Sequence, residues 1–180
     1  MAKTVELRRH TENDGDVLTP GGVRAAWEIG RGLAGGYQLA VSTGAQRATQ
    51  AVACMLAGLG ESVPGGVVVE LGLRSDAEDR WRTLAGEASG SGLASFREVD
   101  ADFVDEEARS LGAALERIFD SLEDGGRALV VGHSPTNEAA VLGLTGLVVE
   151  PMGKGEGVLV VADAGFSVEP LPSQVHHRRS

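Results

Sequence analysis

Three apolar runs, each leading into a helical pattern, constrain this chain more than any other feature. They lie at residues 5–7, 38–41 and 127–131. Helical stripes follow each of them. Val23, Ala26, Trp27, Gly30 and Leu33 follow the first, and Gly35-Gly36 is expected to end that helix. Ala48, Ala51, Val52, Met55 and Leu59 follow the second, where Gly58 and Gly60 mark the end. After the third, a helix is expected from Ser134-Pro135 to about Leu144. Strand-then-helix alternation of this kind specifies a mainly parallel sheet with helices on both faces, a three-layer α/β/α sandwich. In such sheets ligands bind at the carboxyl ends of the strands. Arg9, His10, Ser42, Arg47 and His133 all fall there.

The remaining elements follow from local chemistry. Thr19-Pro20 supplies an N-cap and a first helical residue. Residues 67–71 read as an apolar strand interrupted by Glu70. Ser75 caps a helix over 75–84, and residues 86–92, rich in Gly and Ser, form a mobile loop. Asp102 or Asp105 caps the longest helix, whose stripe is Val104, Ala108, Leu111, Leu115, Ile118 and Leu122. Residues 157–161 and 166–168 pair as a hairpin across Asp163-Ala164-Gly165. No internal repeat or long linker divides the chain. One domain over residues 1–180 is expected, with a core of about 4–170 and a flexible tail at 171–180.

Composition excludes several functions. The net charge of −10, from 26 acidic and 16 basic residues, opposes nucleic-acid binding, and 4% aromatic residues leave few stacking surfaces. An anionic substrate would therefore need a local positive pocket on an acidic body. No apolar run approaches the ~20 residues that span a bilayer, and the N-terminus runs directly into strand-like sequence. The single Cys54 reads as a buried free thiol in a reducing compartment. The expected location is cytoplasmic, with no membrane partner. Oligomeric state is not readable.

Of four histidines, two form the terminal His176-His177 pair. The other two, His10 and His133, each stand just past the end of an apolar strand. Beside His10, Arg9 can bind phosphoryl oxygens bidentately. Neutral imidazole is a competent nucleophile near pH 7. Arg47 lies in the first turns of its helix, where a cation opposes the helix dipole unless an anion sits between it and the open N–H groups. His133 lies at the mouth of another helix, with Ser134 as expected cap. Each has an ordinary alternative: a basic pair in a loop, a solvated arginine, a loop histidine with a structural hydrogen bond. A metal site of His10, His133 and a carboxylate is a third possibility, opposed by the adjacent arginines.

Taken together, three ordered segments resemble the histidine phosphatase superfamily, the phosphoglycerate mutase-like proteins. Leu7-Arg8-Arg9-His10-Thr11-Glu12 stands where that family has strand-Arg-His-Gly-Glu. Ser42-Thr43 followed by Arg47-Ala48-Thr49-Gln50-Ala51 stands for its Ser-rich turn and Arg-Ala-x-Gln-Thr. Val131-Gly132-His133-Ser134-Pro135 matches its third signature, and Leu18-Thr19-Pro20 with Gly22 resembles its Leu-Thr-x-x-Gly segment. The resemblance covers residues 5 to about 145. It implies a small phosphatase-type member in which His10 becomes phosphohistidine while Arg9, Arg47 and His133 hold the phosphoryl oxygens. It implies no cofactor and no metal. The substrate is a phosphorylated small molecule or a phosphoprotein.

The resemblance also implies a proton donor for the leaving group. Glu70 matches the family position loosely, and a lone carboxyl in an apolar strand should have a raised pKa. Glu78 and Glu12 are the other candidates. Thr11 departs from the family's Gly: a β-branched residue narrows the loop and brings a hydroxyl donor. The short stretch between Arg47 and His133 favours hydrolysis over mutase-type phosphotransfer. The compact size resembles phosphohistidine phosphatases of bacterial phosphorelays. A phosphate-binding regulatory module that has lost catalysis is the reading from a different class.

Overall fold

The computed structural model describes residues 1–173. Its frame is a six-stranded sheet in the order β5-β4-β6-β1-β7-β8. The strands are β1 (Lys3–Arg9), β4 (Leu39–Ser42), β5 (Val67–Val69), β6 (Arg127–Gly132), β7 (Gly157–Ala162) and β8 (Phe166–Leu171). The first four are parallel, and β7 and β8 add an antiparallel edge, as the hairpin predicts. A separate two-stranded ribbon, β2 (Asn13–Asp14) and β3 (Val17–Leu18), follows β1. The helices are α1 (Pro20–Arg31), α2 (Gln46–Leu59), α3 (Glu78–Glu87), α4 (Leu93–Ser121) and α5 (Thr136–Thr145). No described helix is long and apolar enough to cross a membrane.

Each sheet face carries its own core, because strand side chains alternate. Val5, Leu7, Val130 and Val160 face α4 and α5, whose Val104, Leu111, Leu115 and Ala140 cover them. Ala40, Leu129 and Val131 face α1 and α2, covered by Ala26, Ile29, Ala51 and Met55. Thr19 caps α1 as expected, its Oγ1 accepting from the Gly22 amide at 3.0 Å with Pro20 at the first position.

Several boundaries differ from the sequence reading, each for a local reason. α1 stops at Arg31 with Gly32 as its cap, before Gly35-Gly36, and Val23 and Trp27 lie on its exposed side. Gly60, left-handed with φ 75°, ends α2. Gly58 stays inside the helix, because α1 crosses so closely there that a Cβ would collide with the Trp27 carbonyl oxygen. Gly30 meets the Met55 carbonyl in the same way. α4 starts at Leu93, about three turns before the expected start, and kinks at Asp100. The Asp100 carboxylate, not that of Asp102 or Asp105, accepts from the Phe103 amide at 3.1 Å and caps the second part. Ser134 does not cap α5, since its hydroxyl donates to Glu138 instead. β8 continues through Leu171, the first residue of the expected tail. Residues 174–180 of that tail, with His176-His177, lie outside the described residues.

Candidate active site

Parallel register brings the two internal histidines together. β1 and β6 pair with Arg8 opposite Val131 and Arg9 opposite Gly132. One step further along both strands are His10 and His133, and the His10 amide donates to the Gly132 carbonyl at 3.1 Å. Their ring centroids are 5.3 Å apart at an interplanar angle of 62°. Both rings are buried, with 4% and 8% of each residue exposed. Gly132 is required between them: a Cβ there would strike the Asn137 side-chain oxygen and crowd Thr43.

The hydrogen bonds assign the His10 tautomer. Its Nδ1 lies 2.8 Å from the Thr11 carbonyl oxygen, which can only accept. Nδ1 therefore carries the proton and Nε2 keeps a lone pair. Burial lowers the His10 pKa to about 4, and the charges of Lys154, Arg47 and Arg9 act in the same direction, against the Thr11 carbonyl. The ring is neutral at pH 7. His133 is lowered to about 3 by burial, then by Arg47, His10 and Arg74. Its Nε2 is 2.7 Å from Thr43 Oγ1, while its buried Nδ1 has no protein partner.

Arg9, at the end of β1, donates from Nη1 to the Met152 carbonyl at 2.9 Å, and its Nε has no protein partner. Arg47 sits at the start of α2, which has no side-chain cap of its own. Asp16 supplies the missing anion: its carboxylate accepts from Arg47 Nη1 at 2.8 Å and from the Gln46 amide at 3.3 Å. A carboxylate of the chain itself, not a bound ligand, thus offsets Arg47 and the open amides at the helix N-terminus. Burial pushes the Asp16 carboxyl up, but the Gln46 and Arg47 amides and the guanidinium together hold it below the usual range.

Two clefts flank this group. One of about 270 Å³ is lined by Arg47, Arg74, Glu78, Trp81, His133 and Thr136, among others. The other, about 650 Å³, is lined by Thr11, Glu12, Arg24, Glu28 and Lys154 with their neighbours.

Glu70 does not have the raised pKa expected of it. Its carboxylate accepts from Arg117 Nη2 on α4 at 2.9 Å, and this bond, with the Gly72 amide, holds it below the usual range. It lines neither cleft. Glu70 stands just past the end of the edge strand β5, capping the turn at Leu71–Leu73, and pairs with a cation on α4 instead of entering an apolar layer. Glu78 lines the cleft that holds His133, bridged to Arg74 Nε at 3.1 Å. Glu12 accepts from Thr19 Oγ1 at 2.9 Å in the other. Thr11 is buried, and its hydroxyl donates to the Gly22 carbonyl at 2.7 Å, fastening α1 to the His10 loop rather than offering a donor to a ligand. Among the described residues, no three His, Cys, Asp or Glu side chains converge as metal ligands would. Cys54 is half-buried.

Four participants escaped the sequence reading. Glu138 in α5 is 2% exposed and accepts from Ser134 Oγ at 2.5 Å and the Met152 amide at 2.8 Å, joining the His133 loop to residues 152–156. Lys154 belongs to that same loop. Thr43 and Asp16 complete the group. Only Glu138, a charged residue leading directly into the apolar run Ala139-Ala140-Val141-Leu142, left a signal in the sequence.

No protein-family profile matches the sequence, and no curated protein matches it. Solved structures do. A phosphoglycerate mutase from Bacillus anthracis superposes with a TM-score of 0.66 at 18% identity, over 96% of this chain and 93% of its own. A phosphoserine phosphatase from Entamoeba histolytica, in complex with 3-phosphoglyceric acid, gives 0.69 at 14% identity, covering 94% and 97%. A mycobacterial glucosyl-3-phosphoglycerate phosphatase gives 0.65 at 16% identity, covering 97% and 100%. At these identities the likeness is one of architecture: this chain has the phosphoglycerate mutase-like fold that the mutase and the two phosphatases share.

Proposed function

We propose that this protein is a metal-independent phosphatase that hydrolyses a phosphomonoester or phosphoprotein through a phosphohistidine on His10. One observation carries the reading: a buried, neutral imidazole with its Nε2 lone pair free, beside a second buried imidazole and two guanidiniums. Nε2 attacks phosphorus, the N–P bond forms, and the P–O bond to the leaving group breaks. Arg9, Arg47 and the orphaned Nδ1 of His133 take up the equatorial oxygens, where charge builds in the transition state. Water then attacks phosphorus, the N–P pair returns to Nε2, and orthophosphate leaves.

Glu78 is the carboxyl best placed to protonate the leaving oxygen and then to take a proton from the attacking water. It shares a cleft with His133 and Arg47, whereas Glu70 lines neither cleft. The similar structures include a phosphoserine phosphatase and a glucosyl-3-phosphoglycerate phosphatase, which supports a phosphorylated substrate.

The test is turnover of an aryl phosphate by wild type, His10→Ala and Glu78→Gln. His10→Ala should abolish phosphate release. Glu78→Gln should slow an alkyl phosphate by ~100-fold and an aryl phosphate, whose leaving group needs no proton, far less. Equal release of alcohol and phosphate marks hydrolysis, while excess alcohol with an added acceptor marks mutase-type transfer. Absent turnover, with vanadate still raising Tm, would leave a phosphate-binding module in its place.

A further inference from the structure

The loop of residues 152–156 is strapped to the nucleophile from several directions. The Gly155 amide donates to the His10 carbonyl at 3.2 Å, and the Arg9 amide to the Glu156 carbonyl at 2.8 Å. Arg9 Nη1 reaches the Met152 carbonyl, and Glu138 holds the Met152 amide. From the opposite face of β1, buried Arg8 donates to the Gly155 carbonyl at 2.9 Å while paired with Glu6 at 2.8 Å. Gly155 has a φ of 77° and sits against Thr11 and Ile29, so the loop's path is fixed by contact as well as by hydrogen bonds.

Five hydrogen bonds to β1, its following residue and α5 tie down this connection between α5 and β7. What the loop delivers is Lys154. Its Nζ donates at 2.5 Å to the Asn13 side-chain oxygen, a neutral acceptor, and no carboxylate lies within ion-pair distance among the described residues. It stands at the lip of the larger cleft beside Thr11 and Glu12. The charges that act on it are Arg9 from β1 and Arg47 from α2, both repulsive, and Glu12 from the loop after β1, attractive. Arg24 and Glu28 from α1 line the same cleft. A cation repelled by two guanidiniums, hydrogen-bonded to a neutral acceptor and with no carboxylate in ion-pair contact is a place for an anion.

We propose that Lys154 is a catalytic residue that binds the phosphoryl group in the transition state, delivered to His10 by the strapped loop. This deepens the phosphatase reading and rests on it. As a flexible ammonium on a fixed loop, Lys154 can follow the phosphoryl oxygens as phosphorus moves from the leaving oxygen to Nε2, while the planar guanidiniums stay in place. Burial, then Arg9 and Arg47, lower its pKa to about 8, so its charge is lost as pH rises through that value.

The experiment compares wild type, Lys154→Met and Lys154→Arg with 4-nitrophenyl phosphate from pH 6.5 to 9.5, alongside inhibition by vanadate. Lys154→Met should lower kcat/KM by about 10- to 100-fold at pH 7, as loss of a charge-assisted hydrogen bond does. It should also weaken vanadate and remove the fall in wild-type kcat/KM near pH 8. Lys154→Arg should retain most activity and move that fall upward. If Lys154→Met leaves kcat/KM and vanadate inhibition within twofold of wild type, Lys154 is a surface lysine and the inference is wrong. If wild type itself shows no turnover dependent on His10, the phosphatase reading has failed instead.

Discussion

Glu138→Ala is the sharpest perturbation available, because one buried carboxylate oxygen serves two donors. Oε1 accepts from Ser134 Oγ at 2.5 Å and the Met152 amide at 2.8 Å, inside a side chain that is 2% exposed. Alanine strands both donors, at ~1–3 kcal/mol each, and leaves part of a side-chain volume empty, for ~3–5 kcal/mol in all. Glu138→Gln keeps an acceptor at Oε1 and should cost ~1–3 kcal/mol, since its NH₂ replaces an oxygen that has no protein partner and lies near Arg9. Urea unfolding of the three proteins measures both differences. The gap between wild type and Glu138→Gln also has a required sign with pH. Burial raises the Glu138 pKa, so above the ordinary carboxyl value, ~4.3, the folded state binds the proton more tightly than the unfolded chain does. Wild-type stability falls as pH rises through that window; the glutamine variant is free of this loss, and the gap narrows. An alanine variant no worse than the glutamine variant, or a gap that widens from pH 4 to pH 8, would falsify the account of Glu138 as the joint between the His133 loop and residues 152–156.

Two further outcomes follow from the same geometry. His10, lowered to about 4, binds fewer protons folded than unfolded between pH 6.5 and 4, so its share of stability is complete above pH 6.5 and lost below it. That share is ~3 kcal/mol, and His10→Ala should show a correspondingly flatter stability profile over this range by urea titration; an unchanged acid limb would contradict the neutral, buried imidazole. Gly30→Ala places a methyl against the Met55 carbonyl where α1 crosses α2, and should cost ~1–3 kcal/mol by the same assay, whereas Gly21→Ala, whose Cβ meets only Thr19 Oγ1 at 3.7 Å, should be neutral or stabilise by up to ~1 kcal/mol.

Much of the architecture and the candidate site was legible in the linear pattern. Apolar runs followed by helical stripes specify the sheet, because burial periodicity is a local property of the chain. His10 and His133 end two such runs, and Thr19-Pro20 marks the start of α1, again through short-range chemistry. What sequence alone could not rank was partnership at a distance. The register of β1 against β6 makes neighbours of residues 10 and 133, and it is set by packing across the whole sheet. Glu70 looked like a lone carboxyl in an apolar strand until α4 brought Arg117 to it, some 47 positions away in the chain. Asp16 reaches Arg47 and the α2 amides, and Glu138 reaches Met152, because turns and crossings fold those segments back on one another. Lys154 carries no motif at all. Its candidacy comes from the loop that holds it, and that loop is defined by hydrogen bonds to β1 and α5, contacts that exist only once the sheet has assembled.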